Sequence, residues 1–372
     1  MDEAKHTRLT RPVQGAYAMS SLIEFEPLID STSRAFVTQM EQRFAKQNKI
    51  CPLDQWMQMY AFDVTGEVTV SKRIGFLDTG KDVDQMMHYT GQALDYTGII
   101  GQVPWLDWYF RIKNPILCYL RPTSNVLSFT MKQIREHEKS PKGQTRDLLS
   151  RFMLARDKNP DLIDEVLLND YTNLNVSGGS DTTAIILRTL IYQLLTQPAV
   201  YAKVMGEIKA TLQARPDNED KKMPISWAEG QKMTYYQACI KEALRNHPAT
   251  AQILPRYVPE GGVQLCGRFL PQGTVVGFHR DKALYGDDAD AFRPERWLEA
   301  APEHAKKMET LLLTFGGGKR ACIGKNIAML EITKFVPELL RRLDMKLIDP
   351  SHYRVKSTWL AVQSGLDNLY ST

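Results

Sequence analysis

A chain of 372 residues, 43% hydrophobic and 24% charged, has the composition of a globular protein with a large core, which excludes a disordered or fibrous one. Its formal charge of +4 is scattered rather than gathered into a basic run, which gives no footing for nucleic-acid binding. Five cysteines (Cys51, Cys118, Cys239, Cys266 and Cys322) are odd in number, widely separated and without a CxxC pair, which argues against a disulfide framework or a zinc knuckle and for a reducing compartment.

In chain order, the opening MDEAKHTRLTRPVQ is polar and charged, and no stretch reaches the ~18 apolar residues of a membrane span. Helical periodicity runs through 21–44, 52–74 and 123–138. Between them, IIGQVPWLDWYF at 99–110 is the most membrane-like piece. Trp105, Trp108, Tyr109 and Phe110 suit either a lipid interface or a loop packed on the core. Residues 162–198 read as one helix of about 35 residues, ~50 Å at 1.5 Å per residue, with apolar positions around most of its circumference. Such a helix belongs at the centre of the fold. The alternation at 252–279, broken by Gly and Pro, predicts hairpins, and 344–372 predicts a further short one. The expected fold is mainly α with a small β portion, in one domain spanning 1–372 without a linker or repeat.

Chemistry concentrates in TFGGGKRACIGKN at 314–326. Three successive glycines are entropically costly, so the backbone must need them. A cysteine before a helix start, beside Lys319 and Arg320, is poised to be a thiolate. A thiolate loop at 315–324 with bare backbone suits an iron porphyrin, which needs close approach, one sulfur ligand and cations for its propionates. Taken alone, it equally suits an inert buried cysteine. Glu242 and Arg245 of KEALR lie three apart on one helix face, as in any exposed ion pair; Arg296 of FRPERW offers the same carboxylate a second guanidinium. GGSDTT at 178–183 puts two glycines inside the long helix and lets Thr182 bond back to the carbonyl of Gly178, predicting a bulge with room for a small ligand. A break between two helices is the other reading.

FGGGKRACIG resembles the cytochrome P450 signature F-x-x-G-x-R-x-C-x-G, and ExxR, F-x-P-x-R-W and GGxDTT occur in the family's order over essentially the whole chain. RPVQGAYAMSSL, LPRYVPEGG and HRDKALYGDDADAFRPERW look most like its fungal secondary-metabolism branch, including pisatin-demethylase-like members. The resemblance implies haem b held by Cys322. Phe315 would lie near the sulfur, Gly316, Gly318 and Gly324 beside the ring, and Arg320 and Arg256 at the propionates. Glu242, Arg245 and Arg296 would be structural, and Asp181 and Thr182 would deliver protons during dioxygen cleavage.

It further implies monooxygenation of a lipophilic small molecule by O2. Electrons would come from NADPH through cytochrome P450 reductase, drawn to Lys306, Lys307, Lys319, Arg320 and Lys325. An electron-independent isomerase or dehydratase and a non-catalytic haem-binding remnant are the competing expectations. Family members reside on the endoplasmic reticulum membrane. Two features depart from the pattern. Where the family shows W-x-x-x-R, this chain has His6 and Thr10, and that stretch lies at the start, so a chain lacking the anchor, first helices and part of the sheet is expected.

Overall fold

The computed structural model describes residues 3–109, 125–139, 146–216, 222–250, 252, 256–257, 261–265, 267–271, 275–276 and 281–371. Cys118, Cys266 and Phe110 lie outside these residues, as does the side chain of Arg256. Among the described residues, the helices of nine residues or more are α1 (Glu3–Gln14), α2 (Glu26–Arg43), α3 (Leu53–Val70), α4 (Met86–Ile100), α5 (Asn125–Lys139), α6 (Leu148–Lys158), α7 (Glu165–Thr196), α8 (Pro198–Gln213), α9 (Thr234–Asn246), α10 (Pro302–Thr310) and α11 (Lys325–Arg342). The mainly helical expectation holds.

Helix α7 has clear boundary signals. Asp164 caps its start by accepting from the N–H of Leu167 at 2.7 Å. Gln197 leaves the helical region because Pro198 follows it, and that proline opens α8. Burial all round holds only for the second half, where every residue from Thr183 to Ile191 is buried. The first half buries one stripe, Leu168, Thr172 and Val176, and exposes Val166 and Leu174. The predicted bulge is not formed: the α-helix continues through GGSDTT. Gly179 has a packing role instead. A Cβ there would stand 2.7 Å from Cγ2 of Thr65, so the glycine lets α3 lie against α7.

Helix α3 is buried around most of its surface, and α2 and α11 close over it. Tyr60 of α3 stacks on Phe335 of α11 at 3.8 Å, while Phe36 of α2 meets Phe335 edge-on at 5.1 Å. A smaller apolar cluster gathers Ala238, Leu284, Tyr285, Ala289, Trp297 and Met308.

The β portion comprises β1 (Cys51–Pro52), β2 (Arg256–Tyr257), β3 (Val263–Leu265), β4 (Arg268–Leu270), β5 (Val275–Val276), β6 (Asp344–Leu347), β7 (Arg354–Ser357), β8 (Ala361–Ser364) and β9 (Asp367–Ser371). All pairs are antiparallel: β3 with β4, β2 with β5, β7 with β8, and β9 between β1 and β6. The tail thus forms its expected hairpin and also recruits β1, with Cys51 opposite Asn368. Ile99, Trp105, Trp108 and Tyr109 are 67%, 69%, 49% and 56% exposed, which places this segment on the surface rather than in the core. No helix of the described residues is long and apolar enough to cross a membrane.

Candidate active site

The cysteine loop is shaped by its glycines. Gly316 and Gly318 have φ of +69° and +64°, a region that side chains with a Cβ rarely adopt. Two short 3₁₀ turns, Leu313–Phe315 and Gly318–Arg320, fold the chain back until the N–H of Cys322 donates to the carbonyl of Phe315 at 2.7 Å. Thr314 Oγ1 donates to the carbonyl of Leu244 at 2.7 Å, fastening the loop to α9. Lys325 then lies 5.9 Å above the Phe315 ring.

Cys322 forms part of the wall of a cavity of about 730 Å³, counting the space open to solvent. Gly178, Thr182, Thr183 and Ile186 of α7 form one side, and Ala328 and Ile332 of α11 another. Leu244, Ala249, Thr250, Phe315, Gly316 and Arg320 also line it. Residues far apart in sequence thus meet around a slot that is mostly apolar.

The thiol itself is not poised as the sequence suggested. Burial, the largest influence, pushes its pKa up, against N–H groups of Gly324 and Lys325 and the Lys325 charge. Lys319 is exposed, and Arg320 Nε is bound to the Glu3 carboxylate at 3.0 and 3.2 Å.

Arg320 Nη2 is buried and has no partner among the described residues, and its side chain lines the slot. A cation with a spare donor, apolar walls, bare backbone at Gly316 and one soft sulfur ligand fit a haem. In α1, His6 Nδ1 is likewise buried without a partner, and Thr10 Oγ1 donates back to the His6 carbonyl at 3.0 Å.

Thr182 Oγ1 donates to the carbonyl of Gly178 at 2.7 Å, as its spacing predicted. Its neighbour Asp181 does not line the slot. It points to α3, where Gln58 Nε2 donates to its Oδ1. Burial, opposed by Arg188 and Gln58, pushes the Asp181 carboxyl up to about 6.

Behind the slot, Glu242 is fully buried and accepts from Arg245 Nε and Nη2 at 2.9 and 2.8 Å and from Arg296 Nε at 2.9 Å. Trp297 Nε1 and the N–H of Arg293, both at 2.8 Å, complete its shell. Arg245 continues to the carbonyls of Ala289 and Ala291, at 2.6 and 3.0 Å. The expected trio is therefore assembled. Trp297 was missed, although its place beside Arg296 in FRPERW was a usable signal. Thr183, Ile186, Ala249, Thr250 and Ile332 were missed because single apolar or hydroxyl residues carry no motif.

The family model described as Cytochrome P450 matches residues 2–365. A cytochrome P450 monooxygenase of Aspergillus terreus is 42% identical over 92% of this chain and 72% of its own length. The cytochrome P450 monooxygenase cicH of Emericella nidulans is 37% identical over 98% of this chain and 74% of its own. For mpaDE' of Penicillium brevicompactum, also named a cytochrome P450 monooxygenase, the identity is 36% over 98% of this chain but only 44% of that protein. The chain belongs to the cytochrome P450 family.

Proposed function

We propose that this chain is a haem-thiolate monooxygenase that inserts one oxygen atom from O2 into a lipophilic small molecule, with roles for its own residues as follows. The carrying observation is that Cys322 and Thr182, 140 residues apart in the chain, line one mostly apolar slot. Bound there, haem supplies dioxygen activation and oxygen-atom transfer. Cys322 would hold it through sulfur, and the N–H groups of Gly324 and Lys325, which favour the anion, would temper the charge there. Arg320 Nη2 would take a propionate, and by the family's motif Arg256 would take the other.

The hydroxyl proton of Thr182 is committed to Gly178, so its oxygen presents lone pairs to the slot and accepts hydrogen bonds there. Asp181 holds and releases the proton behind it. Ile186, Leu244 and Ala249 exclude water and favour an apolar ligand. The relatives named as monooxygenases support the reaction class; secondary metabolism is the setting proposed from the same likeness. Electrons come from NADPH through a reductase that docks on exposed Lys306, Lys307, Lys319 and Lys325, with Lys319 sharing a groove with Arg8 and Arg11 of α1.

The test is a reduced, carbon-monoxide-bound difference spectrum of the chain and of Cys322→Ser. A strongly red-shifted Soret band that the substitution abolishes is expected. A band that survives it overturns the assignment of Cys322. Product formed without NADPH would favour an isomerase or dehydratase instead.

A further inference from the structure

Asp181 and Thr182 are adjacent in α7 but face different surroundings. Thr182 faces the slot; Asp181, 6% exposed, faces α3 across the helix interface. One oxygen, Oδ1, accepts from Gln58 Nε2, a residue 123 positions earlier. The other, Oδ2, is buried and has no hydrogen-bond partner among the described residues.

Gln58 is itself held in one orientation. Its Oε1 accepts from Arg188 Nη2 at 3.1 Å, and Arg188 Nε donates to the carbonyl of Asp54 at 2.8 Å. A guanidinium can only donate, so the amide must turn its oxygen to Arg188 and its NH2 to Asp181. The amide therefore stands between a buried guanidinium and a buried carboxyl. A direct bidentate pair would lock Asp181 as the anion and remove it from proton exchange.

We propose that Gln58 is the positioning residue for Asp181: it ties Oδ1 to α3 and leaves Oδ2 as the atom on which the carboxyl binds and releases a proton. This rests on the proton-delivery role given to Asp181 above. Arg188, on the same helix, and Gln58, on α3, are the groups that act on the carboxyl; Asp54 and Tyr353 act on Arg188 instead. Burial outweighs both helpers and holds the carboxyl at about 6, where a proton is readily exchanged at neutral pH.

The test is an infrared titration of the full chain at rest, following the protonated-carboxyl band that Asp181→Asn removes. In the wild type its midpoint is expected near 6. Gln58→Met keeps the shape but deletes the donor that favours the anion, so the midpoint should rise by about one pH unit, roughly tenfold less carboxylate at a given pH. An unchanged or lowered midpoint would overturn the proposal. If Gln58→Met does not fold, Gln58→Glu keeps the acceptor for Arg188 and sets a second carboxyl against Asp181. The midpoint should again rise, and an unchanged one is equally fatal. The titration needs no turnover, so a chain that fails the carbon-monoxide test loses the proposed function without altering this result.

Discussion

Glu242 and Arg296 lie 54 residues apart in the chain and meet at 2.9 Å between Oε1 and Nε, both withdrawn from solvent. Arg245 and Trp297 also donate to it, so removing the carboxylate takes from buried Arg245 its ion-pair partner and from buried Arg296 one of its two, Asp288 at 3.0 Å remaining. Breaking a buried pair from one side costs about 3–5 kcal/mol, a large share of an ordinary domain's stability. Glu242→Ala should therefore lower the yield of soluble chain sharply, and any folded fraction should unfold at much lower urea. A urea midpoint close to wild type would refute this.

The glycines of the cysteine loop should separate by backbone conformation. Gly316→Ala and Gly318→Ala force a Cβ into positive-φ backbone that side chains rarely adopt, Gly316 in the extended region with ψ of −162°, at a cost of about 1–3 kcal/mol each. Gly317 has φ of −158°, and a Cβ there meets only the flexible end of Leu313, at 3.4 Å. Gly317→Ala should stay within about 0.5 kcal/mol of wild type. Thermal unfolding and haem retention of the three variants, compared side by side, check the order.

Glu331 of α11 is fully buried with neither carboxylate oxygen partnered among the described residues, and burial raises its pKa well above the usual range. The sign follows from linkage. A carboxyl whose folded pKa exceeds its unfolded one contributes stability below the unfolded pKa, near 4.3, and that stability is lost as pH rises toward the folded pKa. Glu331→Gln should match wild type near pH 4 and become progressively the more stable of the two as pH rises. Urea unfolding across that range decides it; a difference independent of pH would contradict the burial argument.

Exposed Lys306, Lys307 and Lys319 carry the proposed reductase contact, and solvent-exposed charges act mainly on association rate. Replacing all three by glutamine should slow reduction by the reductase several-fold at low salt and little at high salt. Equal slowing at both would point to damaged folding rather than lost steering.

The parts legible in the sequence were those in which one local pattern sets one structure. The long apolar pattern at 162–198 placed α7, Glu165–Thr196, within a few residues, and the Glu242–Arg245 spacing placed that pair on one face. Contacts made across the fold were not legible. Gly179 looks like a helix weakness until Thr65 is seen against it, and Arg320 looks like a free cation until Glu3 is found on it. The resemblance gives Asp181 and Thr182 one shared role in proton delivery, but successive helical residues point about 100° apart, and only the packing of α3 shows that Asp181 faces away from the slot.

The slot draws its walls from α7, the end of α9, the cysteine loop and α11, and this order has a consequence for biogenesis. On the ribosome the inner wall of α7 emerges long before Cys322, so an apolar surface waits for its partner through the synthesis of well over a hundred further residues. A haem that needs both walls would accordingly be captured late, and until Cys322 emerges that apolar surface has no cover from its own chain.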